Sequence, residues 1–370
     1  MRNSPGPLLR RAMAGVLCLA ALAAPVCAEA AVSAPPTAPS AAEARRLPFT
    51  ERYRATQHGG IVRAANISIS CRATGARAAA SCPAARAGGK GVNGGFDMFY
   101  VDVDRDPNTY NSSRAGVRLP EGSRVTYARL YWGGNLRVGE QKPPKDNGRV
   151  LIAEPGGEYK ALLADTVVGH RVTHGADAYQ ASADVTKLVR ESGSGLYTVA
   201  QVNVAMGRST AGAWGGWTLV VAYENAAQPL RHLSLWDGFD ALNSRTVQEI
   251  RLGGLRLPRN GTGRAGLVAY DGDRGRTGDS FTVSTGRGSN TVLAGPAGPR
   301  DDVLNSTISE VGAPTPERVP SYAHTLGYDS DVFELGNALR DGGDHLAFRL
   351  VSHRDAAWAG ALFVVVDARQ

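Results

Sequence analysis

The sequence contains few cysteine and histidine residues, the side chains that most often hold zinc or supply nucleophiles. Four cysteines and seven histidines are spread over 370 residues. Cys18 and Cys27 lie in an apolar N-terminal stretch, which leaves only Cys71 and Cys82 for the rest of the chain. A structural zinc site needs four close nitrogen or sulfur ligands, and no such cluster is present. Two cysteines in this setting predict one local disulfide, as expected of an exported protein.

Apolar runs long enough to cross a bilayer are also lacking. The N-terminus instead has the parts of a secretory signal, with Arg10 and Arg11 before an apolar run at 12–24 and small residues before Glu29. The run is shorter than a membrane-spanning helix. We therefore predict a signal peptide at 1–28, a mature chain without a transmembrane segment, and a secreted, extracellular protein that associates with the cell surface.

A strong excess of charge of one sign is missing. The formal net charge is +7, and removal of the leader takes away three arginines and leaves +4. Because the remaining basic residues are scattered among acidic ones, nucleic acid is not expected as a partner. A cell-wall polymer, or an extracellular protein or glycan, is the class of partner that this composition allows.

Alanine, proline and serine dominate the residues that follow the leader. We predict an extended linker at 29–60 and the start of the folded part at Ile61.

Short β-type runs dominate the rest of the chain. Leu196–Val204 alternates between apolar and polar residues, and Trp217–Tyr223 is almost continuously apolar. Helical spacing occurs only at Asp184–Arg190 and Asp331–Arg340. Half-buried alternating strands together with fully buried continuous strands predict an all-β fold of sandwich or jelly-roll type, with short helical turns.

Similar segments follow the two helical turns, which indicates an internal repeat. Trp214 aligns with Trp358 at an offset of 144 residues, and both stand at the start of strand-like runs. We predict two tandem β-sandwich modules, at 61–228 and 229–370, each of ordinary domain size. One large sandwich is the alternative.

Oxygen-bearing side chains recur at every second position in one loop, as in the first half of a calcium loop. These residues are Asp102, Asp104, Asp106 and Asn108. Pro107 stands where such loops have a glycine, and Ser113 stands where they have a bidentate glutamate. We favour a strand that ends in an Asp/Asn/Pro turn, and calcium at these residues is the alternative and the only cofactor considered.

A second acidic loop contains Asp271, Asp273 and Asp279, with Arg274 and Arg276 between them. Internal salt bridges explain this pattern more simply than a metal ion does.

Tryptophans next to glycines allow two interpretations. Surface aromatic rings stack on sugars, whereas an indole in a strand beside glycine more often belongs to the core. The residues concerned are Trp132, Trp214, Trp217, Trp236 and Trp358. We favour the core, and we find no set of catalytic residues. The sequence therefore predicts a non-enzymatic binding or structural protein. A carbohydrate-binding sandwich, or a glycosidase with paired carboxylates, is the alternative.

Several phrases resemble a family of secreted or cell-surface proteins of actinobacteria and other Gram-positive bacteria, built on a β-rich domain of unknown function. They run in order along the chain at 102–113, 128–134, 183–186, 216–224, 235–239, 305–309 and 325–329. The resemblance implies display at the cell surface and brings no catalytic residues with it. Since no wall-sorting motif precedes Gln370, we expect release or non-covalent association.

Overall fold

The computed structural model describes residues 47–74, 81–173, 175–242, 247–286, 290–295, 297–312 and 317–369, without the side chains of 73, 74, 170 and 171. The predicted signal peptide and the first part of the predicted linker lie outside these residues. No helix in the described part of the chain has the length and apolarity needed to cross a membrane.

Strands make up most of the described chain, which confirms the all-β prediction. They are β1 (Leu47–Ile67), β2 (Ile69–Thr74), β3 (Phe96–Tyr100), β4 (Ser112–Val117), β5 (Arg124–Asn135), β6 (Arg149–Ala153), β7 (Lys160–Leu163), β8 (Thr166–Thr173), β9 (Ala176–Asp184), β10 (Gly195–Ala200), β11 (Gly215–Glu224), β12 (Leu230–Ala241), β13 (Val247–Leu252), β14 (Gly263–Tyr270), β15 (Asp279–Ser284), β16 (Thr291–Leu293), β17 (Ile308–Ser309), β18 (Arg318–Val319), β19 (Tyr328–Glu334), β20 (Leu346–Ser352) and β21 (Trp358–Asp367). The helices are α1 (Cys82–Arg86) and α2 (Thr186–Ser192), with 3₁₀ turns at Asn93–Gly95, Pro144–Asp146 and Gly336–Leu339.

One long strand joins the two halves of the chain. Ten strands form a sheet in the order β17-β19-β14-β21-β12-β1-β11-β5-β9-β8. Within β1, residues 47–58 pair with β12 and residues 59–67 pair with β11, both antiparallel. Gly59 lies at this change of partner with a φ of 144°, and a Cβ there would lie 2.0 Å from the Tyr223 carbonyl oxygen. Only glycine fits such a position.

The ten-stranded sheet has two wings that face each other. The first wing consists of β11, β5, β9, β8 and the end of β1, and the second wing of β12, β21, β14, β19 and β17. The Tyr131 hydroxyl of β5 donates to the Asp237 carboxylate of β12 at 2.9 Å, and Thr218 of β11 shares a hydrogen bond with Tyr328 of β19. Such contacts between strands that are not neighbours in the sheet require the wings to pack face to face.

Two smaller sheets cover the outer faces of the wings. The order β18-β4-β10-β6-β7 covers the first wing, and β13-β20-β15-β16 covers the second. Three apolar cores separate the four layers. Trp132 and Trp217 lie in the first core, Trp214 and Trp358 lie between the wings, and Phe281 lies in the last core. The inner strands are buried on both faces, which explains their continuous apolar runs.

The strand order supports the predicted internal repeat. Outward from β1 the first wing reads β11-β5-β9-β8, and outward from β12 the second reads β21-β14-β19-β17. The outer sheets correspond in the same way, β4-β10-β6-β7 with β13-β20-β15-β16. However, β18 from the second half pairs with β4 from the first. The predicted modules therefore share sheets, and their independence as domains stays a prediction.

Two local predictions are wrong. The linker was predicted to reach residue 60, but β1 begins at Leu47 because residues 47–58 pair with β12. The helical turn predicted at Asp331–Arg340 is wrong for residues 331–334, which end strand β19, whereas a 3₁₀ turn does follow at Gly336–Leu339. Val332 packs between the wings and Phe333 packs in the outer core. A strand buried on both faces has no period-two pattern, and its spacing resembled that of a helix.

Cys71 and Cys82 form the predicted disulfide, which links β2 to α1. The segment that contains it, with the small β2-β3 sheet, packs beside the loops at the end of the second wing. The main-chain carbonyl of Gly88 accepts a hydrogen bond from Arg274 at 2.8 Å, and that of Gly89 is 2.9 Å from Nδ1 of His324.

Candidate functional site

Buried aspartates gather at this end of the second wing. They come from β14–β15, from the loop between β16 and β17, from β19, and from the turn after β20. We call them the acidic cluster, and each is at most 7% exposed: Asp271, Asp273, Asp279, Asp302, Asp329, Asp331 and Asp355. Carboxylates are rarely buried unless they are paired or hydrogen-bonded. Their partners therefore show what the site is built to do.

Asn93 joins the disulfide-bearing segment to the cluster. Its side-chain amide donates to Asp271 at 2.7 Å, and its main-chain N–H donates to Asp273 at 3.2 Å. The Asp273 main-chain N–H donates in turn to Asp355 at 2.6 Å. This chain of bonds fixes the turn 93–95 against the loop that follows β14.

Three other members of the cluster each have one oxygen bonded to the main chain. Asp279 accepts from the Leu304 N–H at 2.7 Å, and Asp302 accepts from the Gly275 N–H at 2.9 Å. Asp329 accepts from a main-chain N–H at 3.1 Å. The second oxygen of each carboxylate is buried and has no hydrogen-bond partner among the described residues.

The sequence predicts internal salt bridges in the loop that contains Asp271, Asp273 and Asp279, but such bridges do not neutralise all three aspartates. Arg276 pairs with Asp273 at 3.3 Å. Arg274 instead donates to main-chain carbonyls of the neighbouring segments. Within the described part of the chain, Asp271 and Asp279 have no arginine or lysine at ion-pair distance, so the salt-bridge prediction is wrong for these two residues. The reason is that Arg274 binds main-chain carbonyls of neighbouring segments and Arg276 pairs with Asp273.

Burial raises the pKa of these carboxyl groups. Burial and the neighbouring Asp355 raise the pKa of Asp273 to about 7, and burial together with Asp302 raises that of Asp279 to about 7. The pKa of Asp355 rises to about 6, also through burial. For Asp329, burial and the charge of Asp331 raise the pKa well above its ordinary value. These pKa values place the titration of Asp273, Asp279 and Asp355 near neutral pH.

An open cavity of about 680 Å³ lies on the surface next to the acidic cluster. We call it the arginine cavity. It is lined by Val92, Gly94, Gly95, Arg208, Ser209, Thr210 and Arg276. The turn fixed by Asn93 forms one wall, the loop after β10 forms the second, and the loop after β14 supplies Arg276.

The arginine cavity is positively charged. Arg208 makes no hydrogen bond or ion pair with any residue that the structure describes. Arg276 uses only one edge of its guanidinium for Asp273 and keeps half of its side chain exposed. No carboxylate from the described part of the chain lines the cavity. Two guanidinium groups with free donors suit a phosphate or carboxylate ligand.

The loop considered for calcium from the sequence uses its carboxylates for its own turn. Asp102 accepts from the Ser112 hydroxyl at 2.7 Å, and Asp106 accepts from the main-chain N–H of Asn108 at 2.9 Å. Asp104 accepts from the Asp106 N–H and the Tyr159 hydroxyl. Burial alone would raise the pKa of Asp104, but these hydrogen bonds lower it below its ordinary value. Calcium at this loop stays a prediction without direct support.

No tryptophan platform for sugars is present in the described residues. Four of the five indoles are fully buried, and the fifth is partly buried against the outer core. Trp132 donates to the Asn147 carbonyl and Trp217 donates to the Ser113 hydroxyl, each at 2.8 Å. The core interpretation favoured from the sequence accounts for these positions.

No three His, Cys, Asp or Glu side chains within the described ranges form a ready-made metal site. Sequence reasoning missed Asp302, Asp329, Asp355 and Arg208, because they lie far apart in the chain and only the fold brings them near Asp273 and Asp279.

Comparison with known proteins gives a domain but no activity. Residues 91–257 match the model of a family described as "Protein of unknown function (DUF3344)", so this segment carries a domain of unknown function. The chain has no match among curated proteins.

Likeness to solved structures is weak. One match is the atomic structure of Sulfolobus turreted icosahedral virus, with 9% sequence identity and a TM-score of 0.22. The match covers 69% of this chain and 86% of the viral chain. A second match is the major capsid protein P2 of bacteriophage PM2, with 11% sequence identity and a TM-score of 0.17. The match covers 72% of this chain and 96% of the capsid protein chain. A third match is the structure of PNGF-II, with 10% sequence identity and a TM-score of 0.24. The match covers 88% of this chain and 66% of the PNGF-II chain. TM-scores this low do not support an inference about the fold or the function of this chain.

Proposed function

We propose that this chain is a secreted, non-enzymatic binding protein that holds an anionic polymer of the cell surface in the arginine cavity. The observation that carries this proposal is Arg208, a half-buried arginine at the wall of an open cavity with no partner in the described residues. A cation left unpaired in a concave site attracts anions more strongly than one on a flat surface.

The chemistry of the cavity favours binding over catalysis. Glycoside hydrolysis uses two carboxylates on opposite sides of a cleft, whereas the lining of this cavity has arginines, glycines and hydroxyl groups. The aspartates behind its wall are buried and bonded to the main chain. Stacking of sugar rings, the alternative expected from the sequence, has no exposed indole to use among the described residues.

An extracellular location agrees with several features. The disulfide between Cys71 and Cys82 is typical of oxidising compartments. The signal peptide inferred for residues 1–28 supports the same location, as does the resemblance to secreted proteins of actinobacteria.

Binding of two soluble polyanions tests the proposal. Poly(glycerol phosphate) and polygalacturonate would be titrated against the folded protein by calorimetry, with neutral dextran as the uncharged probe. We expect one of the polyanions to bind, which also identifies phosphate or carboxylate as the ligand group. Substitution Arg208→Gln should weaken binding about tenfold, because one charged hydrogen bond is worth about 1.5–3 kcal/mol.

The matched control is Arg118→Gln, which removes an exposed arginine distant from the cavity in sequence and without a partner in the described residues. This variant should bind like the unmodified protein. Equal losses in both variants would show that only the overall charge attracts the polymer, and the assignment to the cavity would then be wrong.

A further inference from the structure

One carboxylate contacts two walls of the arginine cavity from behind. Oδ2 of Asp273 lies 3.3 Å from Nε of Arg276, and Oδ1 of Asp273 accepts the main-chain N–H of Asn93 at 3.2 Å. Arg276 lines the cavity, and so do Gly94 and Gly95, which directly follow Asn93. The turn that contains these glycines has no charged side chain of its own. Asp273 therefore affects both the position and the charge of this side of the cavity.

The charged groups around Asp273 are mostly other carboxylates. Asp271 belongs to the same loop, Asp302 comes from the segment before β17, and Asp355 comes from the turn after β20. Among the described residues, Arg276 is the only cation at ion-pair distance from Asp273. Burial and the charge of Asp355 raise the pKa of Asp273 to about 7, although Arg276 acts against them. Repulsion among the carboxylates therefore favours a proton on this group.

The two arginines of the cavity differ in how their charge is balanced. Arg208 makes no ion pair with any residue that the structure describes. Arg276 shares one edge of its guanidinium with Asp273, while half of its side chain is exposed. A proton on Asp273 would remove the balancing charge at Arg276 and leave Arg208 unchanged. The cavity thus has one cation that is constant and one that depends on the state of Asp273.

We propose that protonation of Asp273 strengthens anion binding in the arginine cavity by removing the counter-charge of Arg276. This inference rests on the proposed function of the cavity, and it makes Asp273 a positioning residue that acts through Arg276. The proton comes from the solvent. Because coupling between two binding events is reciprocal, a bound anion also favours the protonated form of Asp273. Binding near neutral pH should therefore take up protons.

The pH dependence of polymer binding tests this inference on the full chain. Poly(glycerol phosphate) and polygalacturonate keep their charge between pH 6.0 and 8.5, because phosphodiesters and uronates titrate at lower pH. At constant salt, the Kd of the polymer that binds should be about fivefold lower at pH 6.0 than at pH 8.5, the size of effect expected for one charge near a protein surface. Calorimetry at pH 7 in two buffers of different ionisation enthalpy should show proton uptake on binding.

Substitution Asp273→Asn imitates the protonated carboxyl group. It keeps an acceptor for the Asn93 N–H and removes the charge beside Arg276. At pH 8.5 this variant should bind about as tightly as the unmodified protein does at pH 6.0, and its Kd should change by less than about twofold between the two pH values. Arg276→Gln should also lose the pH dependence. Arg208→Gln should bind more weakly at both pH values but keep the ratio of the two Kd values.

Two control variants separate Asp273 from other groups. Asp341→Asn makes the same change at an exposed residue in the loop that packs at the opposite end of β14. His353→Gln removes an exposed histidine in the turn after β20, because histidine is the side chain that ordinarily changes charge in this pH range. Both variants should keep the pH dependence of the unmodified protein. If His353→Gln removes it and Asp273→Asn does not, the inference is wrong.

The results also distinguish this inference from the proposed function. Suppose that a polymer binds, that Arg208→Gln weakens its binding, and that the Kd of the unmodified protein is the same at pH 6.0 and 8.5. The anion site would then stand, and regulation by Asp273 would be overturned. Weaker binding of Asp273→Asn at both pH values, with the ratio unchanged, would show a merely structural role and overturn it too. No binding of either polymer at either pH would overturn both proposals.

Discussion

The indoles of Trp214 and Trp358 meet between the two wings, with their ring centroids 5.0 Å apart and their planes inclined by 35°. The two residues occupy equivalent positions of the internal repeat, one in each half of the chain. Both are fully buried. The contact therefore joins the halves at the centre of the middle core.

Truncation at this contact should destabilise the whole fold. Trp214→Ala and Trp358→Ala should each lower the free energy of unfolding by about 3–5 kcal/mol. The double variant should lose about 0.5–1.5 kcal/mol less than the sum, because an aromatic pair contributes about that much. Urea unfolding measures all three. Strict additivity would mean that the rings do not interact.

Asp237 should be a second point of attachment between the wings. Its carboxylate accepts two hydrogen bonds from Arg52, at 2.9 and 2.8 Å, and one from the Tyr131 hydroxyl. Since Asp237 is 1% exposed, Asp237→Asn leaves Arg52 without its charge partner and should cost about 3–5 kcal/mol. Glu249→Gln breaks the exposed pair with Arg251 and should cost less than about 1 kcal/mol. Similar losses in the two variants would contradict this.

Glycine at position 59 should be required where β1 changes partner. Gly59→Ala places a Cβ against the Tyr223 carbonyl at a positive φ, and we expect a loss of at least about 2 kcal/mol. Gly60→Ala is the matched control, because its φ is not positive and the atom nearest to its Cβ is the hydroxyl at the end of the Tyr223 side chain rather than the main chain. Thermal unfolding of both variants gives the comparison. A larger loss for Gly60→Ala would show that β1 does not turn at Gly59.

Stability should fall as the pH rises from 6.5 to 8. The pKa values of Asp273 and Asp279 are about 7 in the folded chain, raised by burial, whereas an unfolded aspartate titrates near 4. The folded state therefore binds more protons in this range, and the free energy of unfolding decreases by about 1 kcal/mol or more per pH unit. Urea midpoints at several pH values test this.

The pH window matters because His324 acts in the opposite direction at lower pH. Burial lowers its pKa to about 4, so it disfavours the folded state below about pH 6.5. Above that value it is neutral in both states. Stability that rises between pH 6.5 and 8 would contradict this titration.

The sequence was sufficient for the fold class because the all-β prediction depends on local pattern. Trp217–Tyr223 is continuously apolar since β11 is buried on both faces, and Trp214 and Trp358 stand at equivalent positions. The face-to-face wings could not be predicted, because they depend on β1 pairing with strands more than 150 residues away in the chain. The same limit explains the error in the predicted linker, because residues 47–58 form a strand only through their pairing with the distant β12.

The sites were less predictable than the fold. The spacing of Asp102–Asn108 is a local pattern, and it drew attention to a loop whose carboxylates bond to their own turn. The acidic cluster has members from 271 to 355, and its partner Asn93 comes from the other half of the chain. Arg208 carries no sequence signal at all, since a single arginine in a loop gains meaning only from the cavity beside it.

The most direct test of an anion site in the arginine cavity is the salt dependence of polymer binding for the unmodified chain and for Arg208→Gln. Exposed charges are screened over about 10 Å at 0.1 M salt. We predict that the Kd of the preferred polyanion rises at least about tenfold between 50 and 300 mM NaCl, and that the variant shows a weaker dependence. A Kd that is independent of salt, or the same dependence in both proteins, would contradict binding at Arg208.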